Sequence, residues 1–145
     1  MPDTSKIHYT LAKWPRDMSA IRSVRSTVFI DEQNVSPEEE WDGEDDRCLH
    51  VLAATTDDHV VGTARLKPDG QIGRMAVLKE YRGLGIGGEM LKLLVAEAAD
   101  RGHAEVFLHS QVHAIPFYEA HGFVVEGEEF MDANIPHKTM RYRLR

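Results

Sequence analysis

The stretch that decides the fold of this 145-residue chain is Val77-Leu78-Lys79-Glu80-Tyr81-Arg82-Gly83-Leu84-Gly85-Ile86-Gly87-Gly88. An apolar strand end runs here into a glycine-rich loop, and the loop opens a helix. Glycine lets the backbone approach a ligand closely because it has no Cβ, and the free amides and positive dipole end of a helix attract anions. The stretch therefore predicts a binding site for the phosphates of a cofactor.

The segments on either side of this loop predict an alternation of strands and helices. Apolar residues recur at three- and four-residue steps from Met18 to Phe29, which predicts a helix that ends near Asp31 and has Asp17 as its cap. Two further helices are predicted, over residues 87–101 and 114–121. Strands are predicted over residues 7–13, 48–55, 59–67, 71–78, 104–109, 123–126 and 139–144, with a polar loop before the last. The strand-helix-strand unit around the glycine loop favours parallel pairing.

Composition limits the classes of function that the chain can have. Its 24 acidic and 17 basic residues give a net charge of -7, which opposes a nucleic-acid partner. Cys48 is the single cysteine, so the chain can form neither an intrachain disulfide nor a thiolate metal cluster. Residues 1–6 are polar and lead into a strand, so we expect no signal peptide, no membrane partner and a cytoplasmic location. The length favours one domain over residues 1–145.

Two motifs follow one another in the second half of the chain. The first is Arg82, Gly85 and Gly87 in the glycine loop, and the second is Phe117-Tyr118 followed by Gly122-Phe123. In this order and spacing they resemble the pyrophosphate loop and the later segment of the GCN5-related N-acetyltransferase (GNAT) family. The resemblance covers most of the chain.

A further match, over residues 28–33 and 39–42, is similar to a poorly characterised bacterial branch of that family. The resemblance implies an α/β (α+β) fold, the acyl-CoA N-acyltransferase fold, whose mixed central sheet splays between two parallel strands and has helices on both faces. Acetyl-CoA would lie in the gap as acyl donor, with its pantetheine arm added to a strand edge. The cofactor-binding residues implied are Met75, Ala76, Val77, Arg82, Gly83, Leu84, Gly85, Ile86, Gly87, Gly88, Gln111 and Phe117. Gln111 stands where the family often has Asn.

The resemblance also implies the reaction, which is transfer of an acetyl or other acyl group to a primary amine by direct attack in a ternary complex. Tyr118 resembles the tyrosine that donates to the departing CoA sulfur, although a packing role for its ring stays open. A free amine is mostly protonated at neutral pH, so a base must act directly or through water. Glu32, His113 and Glu40 are the candidates, because the strand before the loop carries no acid in this chain.

The acceptor side is less clearly marked in the sequence. The acidic segment of residues 31–46 is predicted to be a loop with at most one helical turn, and its charges could attract a cationic amine. Glu32, Trp41 and His137 are candidate acceptor-binding residues. Trp41 could instead pack the segment against the core, and the carboxylates could simply be solvated. The amine, on a small molecule or a peptide, is unidentified, and a homodimer is left open.

Two other functions fit parts of the sequence. Residues 83–88 satisfy the G-x-G-x-x-G fingerprint of dinucleotide-binding oxidoreductases, but a strand meander precedes them and too few residues follow for a second half of that fold. A CoA-binding sensor or interaction module would keep the loop and lose turnover. His109 and His113 have no third ligand at metal-site spacing, so we expect no metal.

Overall fold

Seven strands form one mixed sheet in the computed structural model, which describes residues 6–144. They are β1 (His8–Leu11), β2 (Leu49–Ala54), β3 (Val60–Leu66), β4 (Gln71–Val77), β5 (Glu105–Gln111), β6 (Val124–Asp132) and β7 (Ile135–Arg143). The helices are α1 (Met18–Arg25), continued by π-helical turns over Ser26–Glu32, then α2 (Pro37–Glu40), α3 (Ile86–Asp100) and α4 (Ile115–Glu119). The strand order is β1-β2-β3-β4-β5-β7-β6.

The sheet contains one parallel pair, β4 and β5, among the strands that the structure describes. The pair is joined at Gln71 and Phe107 and at Ile72 and Leu108. Beyond these positions β4 continues to Val77 without pairing to β5, so the two strands open a wedge toward the start of α3. The predicted mixed sheet, splayed between two parallel strands, is confirmed.

Helices cover both faces of this sheet. On one face α3 packs Met90 and Leu94 into the main core. On the other face α1 and its π-helical extension pack Val24 and Val28 against Ala76 of β4. Because burying one such side chain contributes about 1.5–3 kcal/mol, tertiary packing holds both helices more strongly than their intrinsic propensity does. The two layers together fix the position of β4 and of the glycine loop that follows it.

The two last strands form a long hairpin where the sequence predicts a polar loop. That prediction is wrong, because the ladder between β6 and β7 continues to Asp132 and Ile135. A register shift after Glu126, with Gly127 at φ 80°, interrupts the strand alternation that sequence reading relies on. The turn itself is made by residues 133–134, which both have positive φ.

The start of α1 also differs from expectation. Asp17 precedes the helix as predicted, but its carboxylate makes no hydrogen bond to the helix and accepts one from the Lys13 amide at 2.8 Å. The prediction of a side-chain cap is therefore wrong, because the carboxylate has a closer donor in the preceding turn. The helical path ends at Glu32, one residue beyond the predicted end.

Within residues 6–144, no helix has both the length and the apolar character needed to cross a membrane. The prediction about a signal peptide rests on residues 1–6, and residues 1–5 lie outside the part of the chain that the structure describes.

Candidate active site

A cavity of about 360 Å³ occupies the wedge between β4 and β5. Its walls come from the π-helical turns, from β4, from the segment that joins β5 to α4, and from the tip of the β6–β7 hairpin. The predicted site residues on these walls are Glu40, Met75, Ala76, Val77, Arg82, Gln111, His113, Tyr118 and His137. Glu40, one of the candidate bases, is paired there with Arg25 at 2.7 Å. Glu32 and Trp41 do not line it. The fold thus brings together residues from distant parts of the sequence.

The glycine loop has the backbone that an anion site requires. Gly83 has φ 76° and Gly85 has φ 86°, values at which a side chain would be strained, and a Cβ at either position would meet no atom within 4 Å. Gly85 immediately precedes α3, whose first amides have no partner within the helix. Gly88 is needed for close packing, because a Cβ there would lie 3.0 Å from His121 Nε2. The loop therefore combines open space for a ligand with close packing of α3 on the segment after α4.

Arg82 folds back from this loop over the end of β4. Its Nε donates to the Val77 carbonyl at 2.8 Å, and its two Nη atoms donate to the Glu32 carboxylate at 2.7 and 2.9 Å. The hydrogen bond from Arg82 lowers the pKa of Glu32. A carboxylate held in this way is a weak base, and it lies outside the cavity.

Tyr118 on α4 reaches the same strand. Its Oη is 4.0 Å from Met75 Sδ, and its ring meets those of Phe117 and Phe123 edge-on. Burial raises the pKa of Tyr118 to about 12, so the hydroxyl stays protonated at neutral pH. Full proton transfer to a thiolate, whose conjugate acid has a pKa of about 8.5, is uphill for such a phenol. Tyr118 can instead donate a hydrogen bond to a sulfur on which negative charge develops.

Gln111 and His113 are linked at the end of β5. The Gln111 Oε1 lies 2.7 Å from His113 Nε2, and the Gln111 Nε2 donates to Gln33 Oε1 at 2.9 Å. Because an amide oxygen only accepts, His113 Nε2 carries the proton in this arrangement and the lone pair of the neutral ring is on Nδ1. The amide expected to contact the pantetheine arm is thus engaged by two protein side chains.

Two histidines line the end of the cavity next to the β6–β7 hairpin, where His137 pairs with Gln111 in the ladder. His137 is 8 % exposed and lies on β7, where its Nδ1 donates to the Ile135 carbonyl at 2.7 Å, which leaves Nε2 as the acceptor of the neutral ring. His109 lies on β5, and burial lowers the pKa of its imidazole, so it is neutral at pH 7. This end of the cavity is therefore reached from the hairpin that the sequence analysis read as a loop.

The acidic segment is not a solvated loop, because arginines neutralise much of its charge. Arg25 donates to Glu40 and to Asp45 at 2.7 Å each, and Arg65 donates to Asp45 at 2.8 Å and to Asp42. Burial opposes ionisation of both aspartates, but hydrogen bonds from the arginines outweigh it and hold the pKa of Asp42 and of Asp45 below the usual range. We call these residues, with Arg74, the arginine network.

Trp41 lies against this network rather than in the cavity. The guanidinium carbon of Arg25 is 5.0 Å from the centre of its ring, and that of Arg22 is 5.4 Å away. The indole face therefore already holds cations of the protein itself. This position fits the alternative in which Trp41 packs the acidic segment against the core.

Two parts of the cavity wall were not predicted from the sequence. Arg74, the charged residue of β4, lines the cavity, as do residues Asp132, Ala133 and Ile135 of the hairpin tip. Ala133-Asn134 between two polar strand ends was the available signal for a tight turn, since Asn favours positive φ. Gly73 inside the predicted strand was the available signal for the bulge, but it does not show which side chain the bulge redirects. No group of three or more metal-ligating side chains occurs among residues 6–144.

Comparison with protein families matches residues 20–144 to the acetyltransferase (GNAT) domain. A Bacillus subtilis protein described as the uncharacterized N-acetyltransferase YjcF is 41% identical over 120 residues, which cover 81% of this chain and 86% of that protein.

Solved structures agree with this match. An acyl-CoA N-acyltransferase from Pseudomonas aeruginosa superposes with a TM-score of 0.82 at 27% identity, covering 93% of this chain and 98% of that one. A GNAT family acetyltransferase from Elizabethkingia anophelis, solved with acetyl-CoA bound, shares the fold with a TM-score of 0.69 at 14% identity, covering 96% and 99% of the two chains. With its glycine loop, its splayed sheet and these relatives, the chain belongs to the GNAT family and is an acyltransferase.

Proposed function

We propose that this acyltransferase uses acetyl-CoA as its donor and transfers the acetyl group directly to a primary amine in a ternary complex. The observation that carries the proposal is the wedge between β4 and β5, which has an anion-binding loop at one end and a protonated tyrosine on its wall. Residues 75–77 of β4, Arg82 at the start of the loop and Tyr118 line one cavity, which supports this proposal.

The donor is expected to lie along the unpaired part of β4. Residues 75–77 have no partner on β5, so an extended pantetheine arm can pair with their backbone as an added strand. The diphosphate would then bind the amides of residues 82–88 at the start of α3. Because Arg82 now occupies the Val77 carbonyl, we expect its side chain to move when acetyl-CoA binds. Glu32 enters this scheme as the partner of Arg82 and not as a base.

The reaction needs one proton to leave the amine and one to reach the sulfur. The neutral amine nitrogen attacks the thioester carbon, the C–S bond of the tetrahedral intermediate breaks, and the proton lost by nitrogen balances the one gained by the thiol. His113 is our candidate acceptor of the amine proton, directly or through water, because its Nδ1 has a free lone pair. Tyr118 stabilises the departing thiolate by hydrogen bonding, and the proton reaches the sulfur from the amine side.

The experiment that tests this function is an acceptor screen with acetyl-CoA, in which free thiol and acetylated product are both measured. We expect thiol release that depends on an amine and matches the amount of acetylated product. The sensor alternative predicts tight CoA binding with no turnover across the screen. Calorimetry with NAD and with CoA tests the oxidoreductase alternative. Tighter binding of NAD than of CoA would contradict acetyl-CoA as the donor.

A further inference from the structure

The cavity wall contains one strained residue, Arg74, at a bulge of β4. The ladder pairs Thr63 with Ala76 but Arg65 with Gly73, so two residues of β4 face one residue of β3 between these pairs. Arg74 has φ 49°, an unusual value for a residue with a side chain. Bulges re-aim side chains, and such strain persists at sites where the surrounding structure enforces it. The bulge turns the charged residue of β4 to the cavity wall.

The guanidinium of Arg74 is held on one side and left free on the other. Its Nη2 donates to the carbonyl oxygens of Glu39 and Glu40 at 3.2 Å and to Asp42 Oδ2 at 3.4 Å. Its Nε lies 3.3 Å from Glu40 Oε2 in a geometry that makes no hydrogen bond. Within residues 6–144 its Nη1 makes no hydrogen bond. The side chain is 26% exposed and lines the cavity, so a fixed guanidinium offers a free donor to whatever binds there.

The carboxylates of the arginine network are already shared between arginines and do not pair with Arg74 Nη1. Glu40 is shared between Arg25 and Arg74, while Asp42 is shared between Arg65 and Arg74. A guanidinium with unused donors at a cavity wall is suited to a carboxylate, which it binds by charge-assisted hydrogen bonds. Three carboxylates also line the cavity and oppose an anion, namely Glu39, Glu40 and Asp132. Glu40 is paired with Arg25 and Arg74, and Asp132 belongs to the hairpin and not to β4.

We propose that the amine acceptor also carries a free carboxylate, and that Arg74 binds this group. The acceptor class is then an amino carboxylic acid, with the amine directed toward the thioester. Arg74 directly precedes Met75, whose sulfur is 4.0 Å from Tyr118 Oη, so the carboxylate site and the reacting end lie next to each other along β4. This proposal rests on the proposed N-acyltransferase function. It replaces the expectation of a purely cationic acceptor.

Matched acceptors test the proposal on the wild-type protein. Free amino acids are compared with their carboxamides and with the corresponding decarboxylated amines, with kcat/KM measured by thiol release. Because a hydrogen bond to a charged group contributes about 1.5–3 kcal/mol, we expect the free acids to be preferred by roughly 10- to 100-fold. Equal or better turnover of the carboxamides overturns the proposal while it leaves the acyltransferase function intact. Absence of thiol release with every acceptor defeats the proposed function and this proposal with it.

Variants give a second, independent readout. Arg74→Gln should abolish the preference for free acids over carboxamides, and Arg74→Lys should retain part of it. Arg22→Gln is the matched control, because Arg22 is exposed beside Trp41 and should leave the preference unchanged. Binding of N-acetylated amino acid products, measured by calorimetry, should weaken in Arg74→Gln and not in Arg22→Gln. If Arg74→Gln folds and keeps the full preference, Arg74 does not bind the carboxylate; if it does not fold, the wild-type comparison decides.

Discussion

At the scale of single residues, the proposed reaction uses Tyr118 as a hydrogen-bond donor to the departing sulfur. Tyr118→Phe keeps the ring packed against Phe117 and Phe123 and removes the hydroxyl. We expect the single-turnover rate of acetyl transfer to fall about 10²- to 10³-fold, with acetyl-CoA affinity nearly unchanged. Tyr142→Phe is the matched control, since Tyr142 packs on Phe123 away from the cavity, and its rate should stay at the wild-type value. A Tyr118→Phe rate close to wild type would assign Tyr118 a packing role.

The raised pKa of Tyr118 makes a second prediction at this scale. A hydroxyl with a pKa of about 12 remains protonated through the range in which the amine loses its proton. The value of kcat/KM should therefore rise with pH as the amine loses its proton, and deprotonation of Tyr118 should cause no decline up to about pH 10. A pH profile of wild type and of Tyr118→Phe checks this. A decline near pH 10 that is present in wild type and lost in the variant would mean that Tyr118 titrates like an ordinary tyrosine.

Among the elements, the loop before α3 offers a test that separates ligand binding from backbone strain. Gly85 and Gly43 both have positive φ, 86° and 78°, and a Cβ at either would meet no atom within 4 Å. Changing each to Ala should therefore cost similar stability, about 1–2 kcal/mol. Gly85→Ala should also weaken acetyl-CoA binding, because the added methyl enters the space where the diphosphate is expected, and Gly43→Ala should not. Calorimetry and thermal melting of the two variants measure both effects.

Some secondary-structure elements could be predicted from the sequence more accurately than others. The loop and α3 could be located to within a residue, because glycine spacing and an amphipathic period both mark their boundary. The β6–β7 hairpin could not, because the bulge after Glu126 breaks the alternation of its strands. The cavity walls that depend on non-local pairing were missed for the same reason. Arg74 is the clearest case, since a positive φ in a strand follows from tertiary register and Gly73 does not show which side chain the bulge redirects.

Across the whole molecule, the buried arginine network joins the acidic segment to the sheet. Arg25 is 1 % exposed and contacts both Glu40 and Asp45, so Arg25→Met would leave two buried carboxylates without that partner. We expect a loss of about 3–5 kcal/mol in the free energy of unfolding. Arg141→Met is the control, because its partners Glu105 and Glu126 are exposed, and its loss of stability should be much smaller. Urea denaturation of both variants measures the difference, and equal costs would contradict the structural importance of the network.

Sequence and structure agree best at this largest scale. The parallel pair follows from the strand-helix-strand unit, and the opening between β4 and β5 is what the family resemblance implied. The placement of β7 between β5 and β6 was not predicted. The charge of the acidic segment could not be interpreted from sequence, because its arginine partners are separated from it by up to 50 residues along the chain. The net charge of the chain was therefore a poor guide to the charge of the acceptor.

The central claim, direct acetyl transfer from bound acetyl-CoA to an amine, is tested most directly by following a labelled acetyl group through one turnover. The protein is mixed with acetyl-labelled donor and an acceptor from the screen, and thiol, acetylated amine and free acetate are measured together. The account predicts one labelled amine product for each thiol released, with little acetate. Thiol release with the label in acetate, or retention of the intact thioester on the protein, would contradict it.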